Sequence, residues 1–404
     1  MSTSLLYHAF GVRGYRHKKM EFVEGAVIFT IEQPRESYRC PACGSGDVIG
    51  RGQNPRRFRT VPVGGKAVYL ALAVPRVECR CCKVVRQVKI AFADPRVSYT
   101  KAFQRYALDL LRDMTIQDVA DHLGISWDVI KEIQKADLKR RYDKPQLKHL
   151  RHIAIDEISV AKGHRYLTLV LDLESGVVVH VGQGKGSEAL TAFWTRLRRS
   201  GAKIEAVAID MSPAYIDAVT THLPGVSVVF DRFHVIKLYN DKLSELRRAM
   251  YHELTDKMQK NALKGSRWLL LKRPENLDPA SREPQRLAEA LRLNAPLATA
   301  YYLKEELNEV WEQEDEGAAQ QLLMDWIVYA ESSGIQMLHK FAQTLRTHAW
   351  RILAYYDHPI SSGPIEGTNN KIKTMKRQAY GYRDQEFFRL KILGLHQTRY
   401  ALVG

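Results

Sequence analysis

The chain has 404 residues, 45% of them hydrophobic and 26% charged, with a formal net charge of +16. That length and composition fit a globular protein of two to four domains, and no run of about 18 uncharged apolar residues is present to cross a membrane as a helix. Residues 1–10 lack the basic start and long apolar stretch of a signal peptide, so an intracellular chain is expected.

The charge is uneven. Residues 1–150 hold 27 Lys or Arg against 15 Asp or Glu, whereas residues 301–350 hold three against nine. A basic first third suits a polyphosphate partner, because each neutralised phosphate releases counterions. Nucleic acid is the partner expected on this ground.

Residues 1–97 predict a small strand-rich domain. Short β-branched segments at 26–31, 67–74 and 84–90 are separated by Gly and Pro breaks. All five cysteines lie here, four of them in two CxxC pairs: Cys40 with Cys43, and Cys79 with Cys82. Two such knuckles supply the four thiolates that one structural Zn2+ favours, while Cys81 is surplus. Residues 98–147 turn helical. Thr115 can cap one short helix, Gly124 can end it, and Ser126 can cap the next. This spacing predicts a helix-turn-helix whose second helix turns Trp127, Asp128, Lys131 or Lys135 toward a major groove, with Lys139, Arg140 and Arg141 close behind.

Residues 148–238 alternate strand and helix signals, in the order β-β-β-α-β-α-β, which predicts a mixed sheet with helices packed on it. Two apolar strands here close on carboxylates: Ile153-Ala154-Ile155-Asp156 and Val207-Ala208-Ile209-Asp210. Glu157 follows Asp156 at once, and strand alternation sends the two side chains to opposite faces. Asp231 and His234 follow a third apolar strand and are expected as supporting residues or substrate contacts. Residues 239–350 read as all-helical, with Trp268, Trp311, Trp326 and Trp350 as expected core anchors. Residues 351–404 hold an unusual helix, running from Gly363-Pro364-Ile365-Glu366 to Lys376-Arg377. Helical spacing puts Glu366, Asn369 or Asn370, Lys373 and Arg377 in one row. A carboxylate at the head of a basic row suits a site holding a metal and a polyanion together. With Asp156 and Asp210 it makes the carboxylate set that metal-dependent phosphoryl transfer on nucleic acid requires.

These motifs together resemble the DDE transposases of bacterial insertion sequences, specifically the ISL-three family. The matching segments are Ile155-Asp156-Glu157 with residues 162–166, Asp210-Met211-Ser212-Pro213-Ala214-Tyr215, Asp231-Arg232-Phe233-His234, and residues 363–373 on through Arg377, Tyr380 and Gly381. The paired cysteines and the helix-turn-helix fit the same layout. The resemblance implies a multidomain α/β protein: an N-terminal zinc ribbon, a helix-turn-helix, and an RNase H-like catalytic core interrupted by an all-helical insertion. It implies Asp156, Asp210 and Glu366 as the catalytic triad holding two Mg2+ (or Mn2+) ions. Trp127, Lys131, Lys135, Arg140, Arg141, Asn370, Lys373 and Arg377 are expected on double-stranded DNA, both the terminal inverted repeats and the target. A homodimer or larger assembly in the bacterial cytoplasm, on the nucleoid when bound to DNA, is expected. The rival readings are a zinc-ribbon regulator without catalysis, and a nuclease or resolvase on the same fold.

Overall fold

The computed structural model describes residues 4–161, 163 and 165–397. They divide into two compact units. One comprises the chain through Arg141 together with Met375–Leu390, and the other comprises Tyr142–Thr374 with Lys391–Gln397. Lys162 and His164 of the quoted motif lie outside the described residues.

The first unit opens with α1 (Leu5–Phe10) and a sheet of β1 (Arg16–Val23), β2 (Ala26–Glu32), β3 (Val48–Val63), β4 (Lys66–Cys79) and β5 (Val85–Gln87). The sheet order is β1-β2-β4-β3, with β5 paired to β4. β4 is its spine: Val68, Leu70, Leu72 and Val74 alternate into the core beside Phe29, Phe58 and Phe92. β1 and β3 were not expected from the pattern. β1 is exposed along its whole length, so it carries no alternation to read. β3 holds Gly-Gln-Asn-Pro, a turn-like run, which the structure accommodates with a register shift between Gly50 and Gln53 opposite β4.

Three helices follow: α2 (Lys101–Leu110), α3 (Ile116–Leu123) and α4 (Trp127–Tyr142). The expected punctuation is present. Thr115 and Asp118 form a reciprocal capping box at the start of α3, and Gly124 ends it at φ 60°, a left-handed turn. The sheet and these helices, expected as separate domains, pack together. Arg59 of β3 is buried and donates from a guanidinium nitrogen to the Leu123 carbonyl at 2.9 Å.

The cationic row of α4 is already paired within this unit. Lys131 and Lys135 each reach an Asp384 oxygen at 2.9 Å, Lys135 reaches Glu386 at 2.9 Å, and Lys139 reaches Glu386 at 2.6 Å. Their i, i+4, i+8 spacing on one helix face lets two carboxylates bridge all three ammonium groups.

The second unit is built on β6 (His152–Ala161), β7 (Arg165–Asp172), β8 (Val178–Gln183), α5 (Thr191–Ser200), β9 (Ala206–Ile209), α6 (Pro213–His222), β10 (Ser227–Phe230) and α7 (Arg232–Glu253). The sheet order is β10-β9-β6-β7-β8. β6, β7 and β8 are antiparallel neighbours, whereas β9 and β10 run parallel to β6. This is the RNase H-like arrangement. The parallel half is buried and reads as unbroken apolar runs, as such strands must.

Next come α8 (Lys257–Lys264), α9 (Glu283–Leu293), α10 (Ala295–Glu309), α11 (Glu316–Ser332), α12 (Gln336–Leu353), α13 (Gly363–Gln378) and α14 (Gln385–Leu393). The stretch from α8 to α12 is helical throughout its described elements, and Trp311 and Trp326 anchor it in the core as expected. Trp268 and Trp350 do not: they are 65% and 56% exposed. Each instead carries an arginine on its ring, Arg267 at 4.6 Å and Arg351 at 4.1 Å.

The lysine pairing makes stability depend on pH. Lys139, then Lys135, hold the Glu386 carboxyl down at about 2, against an ordinary 4.5. A depressed carboxylate contributes stability above its unfolded value, and that contribution is lost as pH falls toward the folded one. The thermal stability lost in Glu386→Gln is therefore expected in full above about pH 5 and to vanish as pH approaches about 2. A deficit that is the same at both ends would contradict the pairing.

Candidate active site

Register decides where the carboxylates sit. β6 pairs with β9 as His152 to Ala206 and Ala154 to Ala208. The same offset carried two residues further sets Asp156 beside Asp210. β10 pairs with β9 as Ser227 to Ala206 and Phe230 to Ile209, which sets Asp231 beside Asp210 in turn. Three aspartates thus lie side by side at one level, about 4.8 Å apart from strand to strand. Asp210 and Asp231 stand just past the ends of β9 and β10. Asp156 lies within β6, which does not close there as expected but runs on to Ala161 in its pairing with β7. Carboxyl ends of parallel strands are where open α/β sheets form their sites.

The three are not equivalent. Asp231 is buried and caps α7, accepting the Phe233 N–H at 2.7 Å. Its other oxygen accepts the N–H of Ser362, the residue just before α13. Both oxygens are thus engaged by backbone donors, and Asp231 fastens the start of the Glu366 helix to the end of β10. Asp210 accepts the Ser212 N–H at 2.9 Å. Asp156 accepts the Glu157 N–H on Oδ1 at 2.7 Å, and the Asn369 amide donates to its Oδ2 at 2.8 Å. Burial pushes the Asp156 carboxyl above its ordinary range. The Glu157 N–H and His234 oppose that rise, and the negative charges of Asp210 and Glu157 add to it. A half-buried carboxylate beside a second one is a donor set that a divalent cation relieves, so the residues present fit a metal.

Glu157 points away, as alternation requires: its carboxylate accepts from the Tyr215 hydroxyl of α6 at 3.3 Å. Glu366 lies half-buried in the first turn of α13, three residues before Asn369. Asp156, Asp210 and Glu366 do not close into a tight shell. Among the described residues, only four cysteines bring three or more ligand atoms within 4.8 Å of one another. Asn369 was left open against Asn370 by the spacing. The structure separates them: Asn369 is 6% exposed and Asn370 is exposed, as are Lys373 and Arg377.

The residues expected on DNA differ in availability. Trp127 is 41% exposed at the start of α4. Lys131 and Lys135 are paired as described above. Arg140 is bonded to the buried Asp137 at 2.6 Å while remaining 73% exposed, and Arg141 joins the same carboxylate at 3.1 Å.

The four expected zinc ligands do converge. Cys40 and Cys82 sulfurs are 3.6 Å apart, and those of Cys43 and Cys79 are 3.5 Å apart. Disulfides are far shorter, whereas Zn–S bonds of about 2.3 Å give tetrahedral edges of about 3.8 Å. Both knuckles fold alike. The residue after each second cysteine, Gly44 or Lys83, is left-handed, and its N–H bonds to the carbonyl of the first cysteine. Backbone N–H groups of Cys43 and Ala42 bring the Cys40 thiol down to about 6, favouring the thiolate a metal needs. Cys81 is exposed and outside the cluster. Elemental analysis is expected to find one zinc per chain, retained in Cys81→Ser and lost in Cys40→Ala plus Cys43→Ala. Zinc retained in the double variant would contradict the assignment.

The geometry agrees with the relatives of the chain. A family model described as "Transposase" matches residues 153–392. Models described as the helix-turn-helix domain of transposase family ISL3 and as the zinc-finger of transposase IS204/IS1001/IS1096/IS1165 match residues 88–136 and 36–82. The chain is 34% identical over 388 residues to the transposase for insertion sequence element IS1001 of Bordetella parapertussis, covering 95% of each chain. It is 30% identical over 411 residues to the transposase for insertion sequence element IS1557 of Mycobacterium tuberculosis, covering 94% of this chain and 91% of that one. Zinc ribbon, helix-turn-helix and catalytic core are matched in chain order, and the chain belongs to the ISL3 family of DNA transposases.

Proposed function

We propose that Asp156, Asp210 and Glu366 are the three catalytic carboxylates of this transposase and that they hold two Mg2+ (or Mn2+) ions. The observation that supports this reading is the common level of Asp156 in β6 and Asp210 at the end of β9, with the Glu366 helix bonded to Asp156 through Asn369. Bound cations supply the activation of the attacking oxygen and the stabilisation of the leaving one. Water cleaves a strand at the transposon end and frees a 3'-hydroxyl. That hydroxyl attacks a target phosphodiester, so one bond to phosphorus forms as another breaks.

The other residues bind and orient. Asp231 holds the start of α13, and His234 sits where its charge acts on Asp156. Asn370, Lys373 and Arg377 engage phosphates, cations on the exposed row of α13 being suited to a polyanion. Trp127, Arg140 and Arg141 engage the terminal inverted repeats. Lys131 and Lys135 join them by exchanging Asp384 and Glu386 for phosphate, which steepens the salt dependence of end binding. Two ends must be held in one complex, so a homodimer or larger assembly in the bacterial cytoplasm, on the nucleoid, follows. A regulator without catalysis is not favoured, because the family matched over residues 153–392 is one of transposases.

The test is nicking and strand transfer of labelled end DNA in Mg2+. Asp156→Ala, Asp210→Ala and Glu366→Ala are each expected to fall to background while still binding end DNA. Glu157→Ala, which loses only a contact with Tyr215 on the other face, is expected to keep most activity. Normal nicking by Asp156→Ala alongside an inactive Glu157→Ala would reverse the register, and four active variants would overturn the triad.

A further inference from the structure

Asn369 is buried on the core-facing row of α13, in line with Ile365, Ile372 and Met375. An amide there costs stability unless it is bonded, and a leucine would fill the same space without polar atoms. Its Oδ1 is buried and has no partner among the described residues. Among the described residues its nitrogen makes one bond, to Asp156 Oδ2. The amide is thus kept in an apolar row for this contact, and the contact is to the carboxylate of β6 that lies level with Asp210.

We propose that Asn369 is a positioning residue, whose amide fixes the Asp156 carboxylate in the orientation that presents it to a divalent cation. This rests on reading Asp156 as a metal ligand. The terminal torsion of an aspartate is broad, so one donor does not hold the carboxylate plane. Here two donors grip different oxygens, the Glu157 N–H on Oδ1 and Asn369 on Oδ2. An ionised carboxylate has about four acceptor positions, so about two remain free for a cation. The chemistry of the donor matters as well. Lysine or arginine at this place would cancel the charge and compete with the metal, whereas a neutral amide orients the carboxylate and leaves its charge intact.

The position on α13 adds a mechanical consequence. Asn369 lies three residues after Glu366, on the same side of the helix. A rotation or slide of α13 that displaces Glu366 therefore also withdraws the donor from Asp156. The helix start is referenced separately to Asp231 through Ser362. One helix then sets the geometry of two of the three carboxylates.

The experiment uses the full-length, zinc-loaded protein and Mn2+ as the probe. Bound Mn2+ is measured by the loss of its free electron-paramagnetic signal, beside end-DNA affinity and the Mn2+ dependence of nicking. Asn369→Leu keeps the volume and removes the donor, and Asn369→Asp replaces the donor with a second negative acceptor. Asn369→Leu is expected to bind Mn2+ about 10–100-fold more weakly, the usual effect of losing a partner behind a metal ligand. Its end-DNA affinity and melting temperature are expected to stay near those of the parent, and higher Mn2+ is expected to restore part of its nicking. Wild-type Mn2+ affinity in Asn369→Leu would overturn the proposal. Tighter Mn2+ binding by Asn369→Asp would also overturn it, by showing that position 369 faces the cation itself. Asp156→Ala separates the two levels: if it too binds Mn2+ and nicks like the parent, the failure lies in the metal-ligand reading of Asp156 and not in Asn369.

Discussion

The constraint on which the catalytic unit depends is the register of its three parallel strands. Fixed offsets between β6, β9 and β10 bring Asp156 of β6 level with the aspartates that follow the ends of β9 and β10. Register in a buried parallel sheet is tightly specified, because a slip of one residue turns every side chain to the other face. The apolar runs that enforce it, Ile153 to Ile155, Ala206 to Ile209 and Val228 to Phe230, thereby also set the level of the carboxylates. Packing and chemistry are written into the same residues.

Three like charges side by side repel, and the fold treats them in two ways. Asp231 is given backbone donors from the starts of two helices, where unpaired N–H groups and the helix dipole favour an anion. It becomes a fastening between β10 and α13. Asp156 and Asp210 keep acceptor positions and partial exposure, and Asp156 is pushed up by burial. The first unit follows a related logic. Its small sheet carries a cysteine cluster in place of a larger apolar core, and the lysines of α4 are neutralised by Asp384 and Glu386.

Much of this was legible in the sequence, and the reasons are local. The strand end at Asp210, the cap at Thr115, the Gly124 turn and the two cysteine knuckles each announce themselves within a few residues, whereas β6 runs past Asp156 to Ala161 because β7 continues to pair with it. Other features depend on distant neighbours. Spacing alone could not choose between Asn369 and Asn370, because adjacent helix positions both lie near the row. Their difference arises from Asp156, more than two hundred residues away. Lys131 and Lys135 read as free groove contacts until Asp384 and Glu386 are brought to them. Trp268 and Trp350 read as core anchors, yet they sit off the buried faces of their segments. β1 and β3 escaped notice because their pairing comes from backbone bonds to β2 and β4 and not from an alternating pattern of their own.

The proposed cation site is a single one, shared by β6, β9 and the head of α13. Replacing Mg2+ with Fe2+ and adding ascorbate and peroxide generates hydroxyl radicals at the bound ion, which cut the backbone beside it. Mapped by mass spectrometry, the cuts should cluster near residues 156, 210 and 366, be suppressed by excess Mg2+, and disappear together in Asp156→Ala. Cuts confined to other segments, or cuts near only one of the three that survive Asp156→Ala, would contradict a shared site.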